Sequence, residues 1–280
     1  MKKYSKIKQF FNFKLPENKK RSNEENQRAI LGDDAPFVIR ETYKTARTNI
    51  IFSVSGIAKA GCKLIAITSA NPGEGKTTTS LNLAITFAQT GARVLAIDGD
   101  LRKPRLHRYL GIKKDIGLST LLANQVSIED AIHKNVRSGL DVIAAGEIPP
   151  NPAELLASEA MKALIDKLAE NYDYIFFDTP PVTVVTDASA LSPSVDGVIV
   201  VVRQNYTDHE SLAMAVNLLN IAQAKILGFF VNDVQTKRGG YHYGRYRYKY
   251  GYRYAYKYGY KYDYRYGDHI KDNSSNSEKK

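Results

Sequence analysis

The segment Ala70-Asn71-Pro72-Gly73-Glu74-Gly75-Lys76-Thr77 constrains this chain more than any other. The apolar run Lys63–Ser69 precedes it, and a helical pattern with Leu81, Ala84, Ile85 and Ala88 follows it over Thr77–Gln89. A strand, a glycine-rich turn, Lys-Thr and a helix match the phosphate-loop pattern G-x-x-x-x-G-K-[ST], with Ala70 where glycine is usual. Gly73 and Gly75 let the backbone curl until several N–H groups point inward at phosphate oxygens. The helix beginning near Lys76 adds the positive end of its dipole. Lys76 reaches the β and γ phosphates of a nucleotide, and the Thr77 hydroxyl is placed to ligate Mg²⁺. Nucleotide contacts are therefore expected from Asn71, Pro72, Gly73, Glu74, Gly75, Lys76, Thr77 and Thr78, with ATP and Mg²⁺ as ligands.

The rest of the chain is patterned to match. Strands are predicted over Arg93–Ile97, Leu140–Ile143, Tyr174–Phe177, Gly197–Val202 and Ile226–Val231. Helices are predicted over Ile39–Ile57, Ala153–Ala169 and His209–Ile221, with short ones near Leu118–Leu122 and Ile128–His133. Short apolar strands alternating with helices mean βαβ units and a mostly parallel sheet covered on both faces. Right-handed crossovers make this a doubly wound α/β fold of the P-loop NTPase kind, with ligands at the carboxyl ends of its strands. Three domains of sequence are expected: a basic flexible arm over 1–35, the α/β body over 36–236 and a tyrosine-rich tail over 237–280.

Two strands end in carboxylates. Tyr174-Ile175-Phe176-Phe177-Asp178 is an apolar strand with the acid that holds Mg²⁺ in P-loop proteins. Val94-Leu95-Ala96-Ile97-Asp98-Gly99-Asp100-Leu101-Arg102 is a second such strand end, and a plain P-loop ATPase or GTPase has no need of it. A carboxylate beside a γ-phosphate can accept the proton of an attacking hydroxyl.

Charge is unevenly placed. Residues 1–23 carry eight Lys/Arg against Glu17, and residues 237–266 carry nine against Asp263, giving +7 and +8 of the net +11. The remaining body is therefore mildly acidic, at −4. Between 241 and 266 lie thirteen tyrosines, at 241, 243, 246, 248, 250, 252, 254, 256, 258, 260, 262, 264 and 266. Named in full, the candidate acceptors are Tyr241, Tyr243, Tyr246, Tyr248, Tyr250, Tyr252, Tyr254, Tyr256, Tyr258, Tyr260, Tyr262, Tyr264 and Tyr266. They are interleaved with Arg, Lys, Gly and His, with almost nothing aliphatic to pack. No run approaches the roughly 20 apolar residues of a membrane span, so the chain is expected in the cytoplasm. A single cysteine, Cys62, excludes an internal disulfide and cannot build a metal site alone.

The phosphate loop, the Asp98-Gly99-Asp100-Leu101-Arg102 strand end, the Asp178-Thr179-Pro180-Pro181 strand end and the tyrosine cluster, in this order, resemble the cytoplasmic bacterial tyrosine kinases of capsule and exopolysaccharide synthesis. The stretch Gly146–Leu156 adds to the likeness, which covers about Ile39 to Tyr266. The resemblance implies transfer of the ATP γ-phosphoryl group to tyrosines of the chain's own tail, in trans. It implies Thr77, Asp100 and Asp178 around Mg²⁺, Asp98 as base, and Arg102 holding carboxylates or phosphate. Asn232 and Asp233, ending the last strand, become candidates for reading adenine. The resemblance also implies a membrane adaptor as activator, which would hold the chain at the inner face of the membrane. A tyrosine phosphatase and a ring-shaped homo-oligomer are implied as well. The family's Glu-x-x-Arg-x-x-Arg contact helix falls on Glu41, Lys44 and Arg47, with Lys44 in place of the first arginine.

The competing reading is a partitioning or positioning ATPase whose basic aromatic tail binds DNA or membrane. Those ATPases carry a signature lysine early in the loop, where this chain has Asn71. Nucleic acid is therefore not expected as a partner. His-Arg-Asp and Asp-Phe-Gly, the marks of eukaryotic-type kinases, do not occur.

Overall fold

The computed structural model describes residues 23–32, 34–55 and 61–235. Most of the expected basic arm and the whole tyrosine cluster lie outside these residues. In chain order the elements are α1 (Asn23–Arg28), α2 (Phe37–Ser55), β1 (Lys63–Ser69), α3 (Lys76–Ala88), β2 (Val94–Asp98), α4 (Leu106–Leu110), α5 (Leu118–Leu122) and α6 (Ile128–Ala131). Then follow β3 (Ile132–Arg137), β4 (Leu140–Ile143), α7 (Pro152–Leu156), α8 (Glu159–Ala169), β5 (Tyr174–Asp178), α9 (Asp187–Leu191), β6 (Gly197–Arg203), α10 (His209–Ile221) and β7 (Ile226–Asn232).

The seven strands form one sheet in the order β3-β4-β2-β5-β1-β6-β7. Every pair is parallel except the edge pair β3–β4. The central strands are apolar on both faces because both faces are covered. Leu95, Ile97, Ile175, Phe177, Val198 and Val200 pack on one side with Leu118, Leu156, Leu164 and Leu219. Ile65, Ile67, Val94, Phe176 and Val201 pack on the other with Leu81, Ile85, Phe87 and Ile50. There the Phe87 ring lies 5.1 Å from Phe176 and 4.5 Å from Tyr174, centroid to centroid. Each fully buried side chain of this size is worth about 1.5–3 kcal/mol of transfer free energy.

The structure departs from the sequence expectations in four places. The helix expected over Ala153–Ala169 is two helices, because Ser158 leaves helical geometry to cap α8, its hydroxyl accepting the Met161 N–H at 3.1 Å. The short helix expected through His133 stops at Ala131, and β3 begins at Ile132 in pairing with β4. Within the expected flexible arm, Asn23–Arg28 is helical and Ile30 and Leu31 are buried. The Leu31 N–H donates to Asn82 Oδ1 of α3 at 2.8 Å, which ties this segment to the body. Finally, α4 and α9 form where no helix was expected.

The topology sets the site. β5 lies between β1, which feeds the phosphate loop, and β2, which ends in Asp98. Asp98 and Asp178 are Cα partners across β2–β5, so two carboxylates stand side by side at the carboxyl edge of the sheet.

Candidate nucleotide and phosphoryl-transfer site

Gly73 and Gly75 take φ of 86° and 96°, the left-handed region that L side chains avoid. Ala70, by contrast, has no positive φ and is fully buried, so a methyl group is tolerated there. Gly75 caps α3 and offers no side chain to its first-turn N–H groups, which have no acceptor within the helix. Those donors and the helix dipole are what a phosphate meets.

The loop is held from outside by Tyr206 and Thr207, which the sequence did not point to, and by Glu74 and Asn232, which were expected to meet the nucleotide instead. Glu74 is fully buried, and its Oε2 accepts the Asn71 N–H at 2.9 Å. The Thr207 hydroxyl donates to Glu74 Oε1, and the Tyr206 hydroxyl donates to the Pro72 carbonyl at 2.9 Å. Asn232 Nδ2 donates to the Glu74 carbonyl at 3.1 Å. Asn232 therefore lies against the loop, while Asp233 pairs with Arg203 at 2.9 Å. A Cβ on Gly75 would sit 2.0 Å from Asn232 Nδ2. Gly75→Ala is expected to cost about 1–2 kcal/mol of stability from backbone strain alone. It should also weaken Mg·ADP binding by about tenfold or more, because Asn232 or the loop must move. Thermal melting and calorimetric titration check both, and unchanged affinity would show that the loop does not hold the nucleotide.

Three charged groups converge at the loop's mouth. Lys76 is half-buried; burial lowers its pKa, and the Asp178 and Asp100 carboxylates push it back up. Asp178 is buried, and its Oδ1 has no hydrogen-bond partner. Burial raises the Asp178 pKa to about 7, with Lys76 and the Thr77 hydroxyl pulling against it. A buried, unsatisfied carboxylate oxygen beside a hydroxyl and a second carboxylate is the environment a divalent cation relieves. No cluster of three His, Cys, Asp or Glu able to hold a metal occurs among the described residues. A cation here would take Thr77, Asp178 and Asp100 together with phosphate oxygens and water, as suits Mg²⁺.

Asp98 is fully buried. Its Oδ1 accepts the Asp100 N–H at 3.2 Å and its Oδ2 accepts the Leu106 N–H at 3.1 Å, which pins the loop between them. Each oxygen keeps a second lone pair. Burial first, then the Asp178 and Asp100 charges, raise its pKa well above the usual carboxylate range. The Gly99 N–H donates to the Asp178 carbonyl at 2.8 Å, and Asp100 Oδ1 accepts the Lys103 N–H at 2.9 Å.

Arg102 does not point at the acids of the strand ends. Its guanidinium grips Asp187, with Nε 3.0 Å from Oδ2 and Nη2 3.0 Å from Oδ1. Asp187 is fully buried at the start of α9. The pair clasps the loop after β2 to the loop after β5. Asp187 was missed in the sequence, although it is the one charged residue between Asp178 and Asp196. On α2, Glu41 and Lys44 pair at 2.7 Å on the exposed face. Arg47 Nη1 donates to the Thr86 carbonyl near the end of α3 at 2.6 Å.

Fold and site together define a P-loop nucleoside-triphosphatase fold with a second acidic strand end beside the usual one. The family model described as an AAA domain matches residues 62–228. The tyrosine-protein kinase YwqD of Bacillus subtilis is 40% identical over 221 residues, 79% of this chain and 92% of that one. The putative tyrosine-protein kinase CapB of Staphylococcus aureus is 35% identical over 212 residues, 75% of this chain and 92% of that one. The crystal structure of the chimerical protein CapA2B2 superposes with a TM-score of 0.66 at 36% identity, covering 72% of this chain and 87% of that one. The chain belongs to the AAA-domain family and, within it, to the bacterial tyrosine-protein kinases.

Proposed function

We propose that this chain transfers the γ-phosphoryl group of ATP to tyrosine hydroxyls, first of all those of the Tyr241–Tyr266 segment of a second copy. The observation that supports the reading is the Asp98–Asp178 register, two carboxylates side by side at the strand ends beside the phosphate loop. The loop N–H groups and Lys76 hold the phosphates and offset charge on the equatorial oxygens. Thr77, Asp100 and Asp178 are the residues that would hold Mg²⁺, which when bound neutralises phosphate charge. Asp98 is the residue that takes the phenol proton. Strong base catalysis is not required, because the transition state is loose and positioning carries most of the effect. Arg102 acts as a positioning residue through Asp187. Asn232 supports the phosphate loop, and any contact with adenine is additional.

Family membership supports a role in capsule or exopolysaccharide synthesis and export. The resemblance supplies a membrane adaptor as activator, which would place the chain at the inner face of the membrane, and a tyrosine phosphatase that resets the tail. No described helix is long and apolar enough to cross a membrane. A ring-shaped homo-oligomer is proposed with Glu41 and Lys44 at the contact. Arg47 would set the helix orientation through Thr86. The domain division follows the same reading, with the body as kinase and residues 237–280 as its substrate.

The test is mass spectrometry of the full chain before and after Mg·ATP, with an adaptor fragment present. Phosphotyrosine within 241–266 is the expected result. Release of inorganic phosphate with no phosphotyrosine would favour a positioning ATPase instead.

A further inference from the structure

A peptide unit is planar and trans, so its carbonyl and its N–H point to opposite sides. Whatever fixes the carbonyl therefore fixes the donor. In the phosphate loop three successive carbonyls, of Pro72, Gly73 and Glu74, are held by side chains from the ends of β6 and β7 and the turn after β6. The Tyr206 hydroxyl donates to the Pro72 carbonyl at 2.9 Å, and Asn232 Nδ2 to the Glu74 carbonyl at 3.1 Å. Arg203 Nη1 reaches the Gly73 carbonyl at 3.4 Å, a weaker contact. The Gly73 and Gly75 N–H groups, which share peptide units with the Pro72 and Glu74 carbonyls, donate to no described residue. They are left for a ligand rich in acceptors, as phosphate is.

The first of these units is the one with a choice. Pro72 second and Gly73 third, with φ of 86° at Gly73, is the signature of a type II turn over Asn71–Glu74. A type I turn accepts the same two residues and differs by a flip of the Pro72–Gly73 peptide unit. Glycine takes either sign of φ, so the backbone alone sets little preference. The flip would turn the Gly73 N–H round by half a revolution.

The turn that supplies Tyr206 is itself firmly built. The Tyr206 and Thr207 N–H groups donate to the Arg203 carbonyl at 3.2 and 3.0 Å, and the Gln204 N–H donates to the Asn232 carbonyl at 3.0 Å. The Thr207 hydroxyl accepts the Arg203 N–H at 2.9 Å, so its one proton goes to the buried Glu74 carboxylate. That carboxylate also accepts the Asn71 N–H, which closes the other end of the same turn. The Arg203 guanidinium lies 5.3 Å from the Tyr206 ring centroid and pairs with Asp233, which keeps the ring in place independently of its hydroxyl.

We propose that Tyr206 is a positioning residue for phosphoryl transfer. Its hydroxyl selects the type II form by holding the Pro72 carbonyl, so that the Gly73 N–H faces the phosphates, and Thr207 fixes the same segment through Glu74. The inference rests on the reading of this loop as the phosphate cradle. Tyr206 acts through one peptide unit and touches neither the reacting atoms nor the acceptor.

The test compares the full chain with Tyr206→Phe, which keeps the ring and deletes only the hydroxyl. Mg·ADP is titrated by calorimetry, and initial rates of phosphotyrosine formation are measured over a range of ATP. Loss of one hydrogen bond should leave the binding form only partly populated, so Mg·ADP affinity should weaken and the KM for ATP should rise together, by about three- to tenfold. At saturating ATP, kcat should stay within about twofold, because the nucleotide itself then selects the form that binds it. Thr207→Val should act in the same direction, and Thr207→Ser, which keeps the hydroxyl, should behave as wild type. Both side chains hold one segment, so the losses in Tyr206→Phe/Thr207→Val should be less than multiplicative.

A brace that serves stability alone would lower the melting temperature and leave affinity and KM unchanged well below the melt. Tyr206→Phe with Mg·ADP affinity and ATP KM within about twofold of wild type therefore overturns the proposal, whatever its melting temperature. A fall in kcat with KM unchanged overturns it as well. A Thr207→Ser variant as weak as Thr207→Val overturns the route through Glu74. Thermal melting shows that each variant keeps its fold, and the Thr207 pair decides the matter if Tyr206→Phe fails that check. A wild type that binds no Mg·ADP sinks the reading of the loop and the proposal with it; equal binding by wild type and Tyr206→Phe sinks the proposal alone.

Discussion

Lys76→Met is expected to reduce phosphoryl transfer to tyrosine by about 10³-fold or more, with the fold intact. Removing one preorganised donor from a site of developing charge costs about 10²–10³ in rate, and Lys76 is a full cation. It stands at the start of α3, where the orphan N–H groups and the Asp178 and Asp100 carboxylates meet. Methionine keeps the apolar stem and loses only the charge. The measurement is autophosphorylation by mass spectrometry beside a thermal melt. Activity within tenfold of wild type, in a variant that melts normally, would remove Lys76 from the site.

Asp178→Asn and Asp98→Asn should each lose about 10²-fold or more in turnover, for different reasons. Asp178 owns the buried Oδ1 without a partner, so its loss should be read in the nucleotide titration as weaker, less Mg²⁺-dependent binding. Asp98 holds its loop through the Asp100 and Leu106 N–H groups and is the proposed base. Its amide should bind Mg·ADP within a few-fold of wild type while transfer fails. If Asp98→Asn loses binding as badly as Asp178→Asn, Asp98 belongs to the cation's shell and is not the base.

Much of this was legible in the residues. β1, β4 and α10 have the bounds read from their patterns. The phosphate loop and both acidic strand ends were legible because their chemistry demands particular residues at particular spacing. The break between α7 and α8 was not, because Leu155, Leu156, Met161 and Leu164 continue a helical pattern straight through Ser158. β3 was hidden because an edge strand with a half-exposed face, Ile132–Arg137, lacks an apolar run. The braces on the loop were invisible for a different reason. Glu74 looks like a solvent-facing loop acid until Thr207 and Asn232, more than a hundred residues away, close over it. Likewise Arg102 finds a partner 85 positions downstream, a pairing no local pattern records.

The clasp between Arg102 and Asp187 has a consequence for control. The strands that carry Asp98 and Asp178 lie inside the sheet, where opening requires much of the fold to open, so those carboxylates have little freedom of their own. The loops leaving them are joined by a bidentate pair with one buried member. Whatever disturbs one loop is felt by the other. An activating contact anywhere along either loop would thus adjust both sides of the reaction at once, and a single event would tune donor and acceptor together rather than leaving each to fluctuate alone.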